Sequence, residues 1–215
     1  MLAATMREYR GVDGLVVLGL PRGGVPVADE VAQALGAPLD VLLVRKIGVP
    51  GHAEVAMGAI ASLGNTIETV TNAQFGDDLR AGGALAEAFT QIATAEGIEL
   101  RRRQRTYRGD REPLDLRDRV VVLVDDGLAT GSTMQAAISA ARRADPAKVV
   151  VSVPVAVGGG AATVRGLADD VVCEWEADHL YAVGAAYEHF DQTTDDEVGE
   201  ILTAADRRRQ DGHKE

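Results

Sequence analysis

Short apolar runs alternate with amphipathic stretches along the chain, and that alternation predicts β-α-β units around a mainly parallel sheet. Residues 15–20 (LVVLGL) read as a first buried strand, followed by the turn Pro21-Arg22-Gly23-Gly24 and a helix over about 26–35. Residues 40–44 read as a second strand that ends at Arg45-Lys46, and Gly48-Val49-Pro50-Gly51 reads as a loop from its turn residues. Residues 56–61 and 66–70 flank Gly64-Asn65, the pattern of a hairpin. A long helical stretch is predicted over about 73–105, interrupted at Gly82-Gly83. Residues 120–124 (VVVLV) make the clearest strand, and they run through Asp125-Asp126 and a Gly/Thr/Ser turn into a helix over about 132–143. Further strands are predicted at 149–155 and 171–173, with Gly158-Gly159-Gly160 as a loop and a terminal helix over about 195–205. The fold class is therefore α/β, with a central parallel sheet of about five strands flanked by helices.

Composition narrows the picture. The 215 residues suit one domain able to bury a full core. No apolar run reaches the roughly 18–20 residues of a membrane span. The first eleven residues lack a basic start followed by an apolar stretch, so no signal peptide is expected. Cys173 is the single cysteine, which excludes an internal disulfide and fits a reducing cytoplasmic location. A formal net charge of −11 disfavours nucleic acid as a partner. The basic cluster Arg101, Arg102, Arg103, Arg105, Arg108 and Arg111 reads as a solvated helix end, with a phosphate or subunit contact as the other reading. A homo-oligomer is left open.

Candidate chemistry concentrates in VVVLVDDGLATGST, residues 120–133. A buried parallel strand delivers its C-terminal end where α/β folds bind ligands. Gly127 and Gly131 allow a tight turn and a close approach of backbone to ligand. Thr130, Ser132 and Thr133 add hydroxyls, and the following helix aims its first N–H groups and positive dipole end into the loop. Together these describe a phosphate monoester cradle. Asp125 and Asp126 cannot hold phosphate directly, but they can accept hydrogen bonds from neighbouring hydroxyls or hold a divalent metal. A diol beside a phosphate is a ribose 5-phosphate.

This run resembles the 5-phosphoribosyl-1-pyrophosphate (PRPP) signature of type I phosphoribosyltransferases. The resemblance implies that Asp125 and Asp126 take the ribose hydroxyls and that Ala129, Thr130, Gly131, Ser132 and Thr133 surround the 5-phosphate. Pro21, Arg22, Gly23 and Gly24 are similar to the family's pyrophosphate loop, which lies opposite. Arg45-Lys46 before the 48–51 loop is similar to the adenine and orotate enzymes, where such a pair faces pyrophosphate and the loop closes over the site. Tyr181-Ala182-Val183-Gly184 with Glu188 resembles the hood of hypoxanthine-guanine enzymes. That match would put Tyr181 on an aromatic acceptor and give Glu188 a water-mediated contact to a second magnesium.

The family pattern implies a single domain over 1–215, with a lid and helical insertion at 47–110 and a hood at 174–194. It implies a magnesium-dependent transferase of nucleotide salvage. PRPP would donate its 5-phosphoribosyl group to a nitrogen nucleophile, a nucleobase or related acceptor, and release pyrophosphate. Glu54 is a candidate for an acid, base or metal role in the lid. Ala129 stands where 6-oxopurine enzymes carry an aspartate base, and about Ala156 where they carry a lysine, which argues against a 6-oxopurine acceptor. The alternatives are a PRPP-binding regulator or sensor without turnover, and a phosphosugar-binding scaffold. The first of these, as a repressor, would need a DNA-binding segment, and the first 14 residues do not offer one.

Overall fold

A computed structural model of the chain describes residues 2–63, 66–109 and 111–212. A short helix α1 (Leu2–Thr5) precedes strand β1 (Leu15–Gly19), helix α2 (Gly24–Leu35) and strand β2 (Leu39–Val41). Three further strands follow: β3 (Leu43–Val49), β4 (His52–Leu63) and β5 (Thr66–Thr71). Helices α3 (Gly76–Ala81) and α4 (Ala84–Arg108) come next. The chain then resumes strand–helix alternation through β6 (Val120–Val124), α5 (Ser132–Arg142), β7 (Lys148–Val157), α6 (Ala162–Arg165) and β8 (Asp170–Ala177), and closes on α7 (Asp195–Gly212).

Five strands form one parallel sheet in the order β2-β1-β6-β7-β8. The apolar runs are buried on both faces, as a sheet covered by crossover helices requires. Val16, Leu18, Val121, Leu123, Val149 and Val151 pack toward α5. Val17, Val122, Val124 and Val150 pack toward α1 and α2. The strand order reverses between β1 and β6, and the C-terminal ends of strands at such a switch point are where α/β folds bind ligands. The loops leaving these two strands are residues 20–24 and 125–131, the two segments with the strongest sequence signals.

The second strand departs from expectation. Its parallel part stops at Val41, and the chain crosses through the buried Leu42 into an antiparallel three-stranded sheet, β3-β4-β5. Arg45 and Lys46 are therefore inside β3, opposite Ile60 and Ala59, rather than at a strand end. Residues 48–51 are not a free loop: Val49 pairs with His52 across a tight Pro50-Gly51 turn. Gly51 has φ +79°, and Pro followed by such a glycine is the preference of a type II turn. The anticipated turn at Gly64-Asn65 lies outside the described residues, as does the Glu54 side chain. The helical stretch breaks where expected, at Gly82 (φ +81°) and Gly83 (φ +88°), values open to glycine.

The arginine cluster is less uniform than a solvated helix end. Arg108 is 6% exposed and pairs with the equally buried Asp40 at 2.9 Å, tying α4 to β2. Arg111 donates to the Arg108 and Tyr107 carbonyls and so caps the end of α4. Arg102 and Arg103 both donate to Glu99, whose carboxyl they hold down at about 2.

Candidate active site

The crevice at the strand-order reversal brings two predicted loops into direct contact. Leu20 N–H donates to the Val124 carbonyl at 2.9 Å, locking the exit of β1 to the exit of β6. A Cβ on Gly24 would lie 2.7 Å from the Val124 carbonyl oxygen and 2.8 Å from Asp125 Cα. A Cβ on Gly23 would overlap the Asp126 carboxylate. Glycine at 23 and 24 is thus what allows the 20–24 loop to abut the diacid. The Pro21–Arg22 peptide is cis.

Asp125 and Asp126 follow β6 directly and are only partly exposed. Asp126 N–H donates to Asp125 Oδ1 at 2.9 Å. Burial, with the neighbouring Asp126 charge second, pushes the Asp125 carboxyl up to about 8. Burial also raises Asp126. Two acids that resist ionisation at a strand end suit a ligand that brings hydroxyl donors or positive charge to them.

Beyond the diacid the chain forms a compact cradle. Leu128 bridges to Ala156, with its N–H on the Val155 carbonyl at 2.9 Å and its carbonyl taking Val157 N–H at 2.8 Å. Ala129, Thr130 and Thr133 are exposed, and Thr130 Oγ1 and Ser132 Oγ are 3.0 Å apart. Gly131 caps α5 with φ +71°, and a Cβ there would strike Thr163 Oγ1. The first N–H groups of α5 have no carbonyl partner within the helix, and that of Ser132 donates to Thr130 Oγ1 at 3.4 Å.

Gly160 supports this loop, because its missing side chain leaves room for the Leu128 and Ala129 carbonyls. Gly158-Gly159-Gly160 reads from sequence only as a loop, and its signal was a glycine run at the end of β7, the strand adjacent to β6.

The C-terminal segment brings in a residue that the sequence did not single out. Tyr181 is fully exposed and Glu188 is exposed. Tyr187 instead reaches the site, its hydroxyl donating to the Asp126 carbonyl at 2.5 Å. Burial, then the charges of Asp126 and Asp125, push its phenol up to about 12. Val183 packs where a Gly127 side chain would be. Residues 174–177, where the expected hood begins, are the end of β8.

The predicted cations are brought near carboxylates. Arg22 lies 3.8 Å from Asp195 at the start of α7. Asp195 also accepts from the buried Tyr107 hydroxyl at 2.6 Å. Arg45 Nε donates to Glu96 of α4 at 2.8 Å. Arg45 and Lys46 are consecutive strand residues, so they project to opposite faces of their sheet and do not form one fork.

Among the described residues no group of three or more His, Cys, Asp or Glu could hold a metal ion alone. The paired carboxylates with open oxygen chemistry suit magnesium, which keeps waters and is bound through one or two carboxylates plus substrate phosphates.

The structure is an α/β fold whose parallel sheet carries a glycine-abutted diacid and a helix-capped turn at its switch point. The chain belongs to the phosphoribosyl transferase domain family, whose model matches residues 2–185. A Mycobacterium tuberculosis H37Rv protein whose name assigns it to the phosphoribosyl transferases is 46% identical over 207 residues. That match covers 96% of this chain and 45% of the relative, so the chain spans about half the length of the curated relatives it matches. The crystal structure of TT1426 from Thermus thermophilus is similar at a TM-score of 0.83 and 42% identity, covering 94% of this chain and 93% of that one. The bifunctional protein PyrR of Clostridium acetobutylicum is 27% identical over 135 residues, covering 63% of this chain and 53% of PyrR.

Proposed function

We propose that this domain binds PRPP in the crevice between residues 20–24 and 125–133 and transfers its 5-phosphoribosyl group to a nitrogen nucleophile, releasing pyrophosphate. The observation that carries the reading is the direct packing of Gly23 and Gly24 on Asp126 and Asp125. It sets a pyrophosphate-type loop and a ribose-phosphate-type loop one side chain apart, as a single ligand carrying both groups requires.

In this reading Ala129, Thr130, Gly131, Ser132 and Thr133 hold the 5-phosphate through backbone N–H groups and hydroxyls. Asp125 and Asp126 accept from the ribose hydroxyls. Tyr187 fixes the Asp126 backbone from the C-terminal side. Arg22, with the Gly23-Gly24 backbone, faces the pyrophosphate, and Arg45 and Lys46 approach it from either face of β3. Bound magnesium would neutralise charge on the departing pyrophosphate. The β3–β4 hairpin serves as an arm that covers the crevice and excludes water while C1 is cationic. Tyr181, fully exposed, is the hood aromatic that would stack on the acceptor, while Tyr187 steadies the diacid loop.

An acceptor without a 6-oxo group fits Ala129 and Ala156, which are too small and apolar to read one. Among the described residues no helix is long and apolar enough to cross a membrane. The lone Cys173 fits a cytoplasmic setting. The test is pyrophosphate release from PRPP and magnesium across a panel of nucleobases and amines. Release that depends on one acceptor and disappears in Asp126→Asn supports transfer. PRPP binding without release for any acceptor would reduce the domain to a sensor.

A further inference from the structure

Arg22 is the cation of the 20–24 loop, and its nearest charge is supplied by the protein itself. Asp195 stands 3.8 Å away, close enough for Coulomb attraction but too far for a hydrogen bond. Both side chains are about one third exposed, at 30% and 32%, so the pair lies near the surface rather than in the core. The guanidinium donors are accordingly not committed to Asp195. Arg45 differs: its Nε is hydrogen-bonded to Glu96 at 2.8 Å.

Asp195 is held independently of Arg22. It begins α7, whose entry is fixed by a capping box: Glu197 N–H donates to Thr194 Oγ1 at 3.2 Å, and Thr194 N–H donates to Glu197 at 2.7 Å. The buried Tyr107 hydroxyl donates to Asp195 Oδ1 at 2.6 Å, and Arg102 is 4.0 Å from Oδ2. The dipole of an 18-residue helix adds support at its N-terminus. Losing Arg22 would therefore not orphan this carboxylate. Its place is set by the fold, whereas no hydrogen bond ties Arg22 to it.

We propose that Asp195 is an affinity-setting residue of the pyrophosphate subsite: a fixed internal anion that neutralises Arg22 in the empty site and that an incoming pyrophosphate must displace. The inference rests on the reading of residues 20–24 as the pyrophosphate loop. Its consequence is that Asp195 weakens binding of the leaving product. It opposes a polyanion by neutralising the cation that the polyanion would use. A transferase that must release pyrophosphate gains from such a built-in competitor, since product release limits turnover in many enzymes.

Calorimetric titration of inorganic pyrophosphate into the full chain tests this with wild type, Asp195→Asn, Arg22→Ala and the double variant. Asn keeps an oxygen for Tyr107 and suits a helix start, and Asp195→Ser provides a second charge-free variant should the first not fold. Asp195→Asn should bind pyrophosphate about fivefold tighter at low salt, with the gain shrinking as ionic strength rises. In the Arg22→Ala background the same substitution should change affinity less than twofold. Unchanged or weaker binding by Asp195→Asn overturns the proposal, as does a fivefold gain that survives without Arg22. If Arg22→Ala alone leaves wild-type affinity intact, the subsite assignment itself falls, an outcome distinct from failure of Asp195.

Discussion

Adding one methyl group to each glycine of the 20–24 loop should separate stability from binding. At Gly24 the new Cβ would stand 2.7 Å from the Val124 carbonyl oxygen and 2.8 Å from Asp125 Cα, both main-chain atoms at the exit of β6. Neither can yield by turning a side chain, so the start of α2 must shift off the sheet. Overpacking of this kind costs about 1–3 kcal/mol. For a chain of this size that lowers Tm by roughly 2–4 °C per kcal/mol.

At Gly23 the obstruction is the Asp126 carboxylate, the far end of a rotatable side chain. Gly23→Ala should therefore leave Tm within about 2 °C of wild type while driving Asp126 from its position and weakening PRPP at least about tenfold, the scale of one hydrogen bond to a charged group. Gly166→Ala is the control, because nothing lies within 4 Å of a Cβ there and its φ is −84°. Differential scanning fluorimetry with and without PRPP and magnesium reads all three. Equal melting points for Gly23→Ala and Gly24→Ala, or full PRPP affinity in Gly23→Ala, would refute the claim that these glycines exist to let two loops touch.

Other expectations follow from the same contacts. The Asp125 carboxyl is raised from its ordinary value of 3.8 to about 8, so its contribution favours the fold fully below about pH 4 and is lost as pH rises toward 8; Asp125→Asn should flatten that part of the pH–Tm curve of the ligand-free protein and raise Tm most at pH 8–9. Asp169 is lowered by Arg142 and the Val149 N–H, so it favours the fold above about pH 4 and loses that effect on acidification; Asp169→Asn should lower Tm at pH 7 without changing PRPP affinity. Arg108→Ala strands the buried Asp40 and should cost about 3–5 kcal/mol in urea unfolding. Amide exchange at the β3–β4 hairpin, residues 47–52, should slow on adding PRPP with an acceptor; identical exchange in both states would remove its role as a cover.

The parallel core was legible because its strands are buried on both faces and read as continuous valine and leucine runs bounded by glycine. Residues 120–124 match the observed strand, and the helices after both loops begin within two residues of expectation. The diacid and cradle were legible because they are local: one strand end, one turn and one helix start. What failed was non-local. Arg45-Lys46 looked like a strand end because β2 and β3 are separated only by Leu42, an apolar residue that hides a change of sheet. Tyr187 gave no signal, because its contact with the Asp126 carbonyl joins residues far apart in sequence. Asp195 gave no signal, because its value lies in contacts with Arg22 and Tyr107, both distant in sequence.

The central claim is that one crevice holds both ends of PRPP, and a calorimetric titration with magnesium tests it most directly. Wild type should bind PRPP with one site per chain and should bind ribose 5-phosphate and pyrophosphate separately, each more weakly. Asp126→Asn should weaken PRPP and ribose 5-phosphate by about 10–100-fold, corresponding to roughly 1.5–3 kcal/mol, while leaving pyrophosphate nearly unchanged. No heat with PRPP at millimolar concentration, or simultaneous binding of PRPP and pyrophosphate to one chain, would contradict the account.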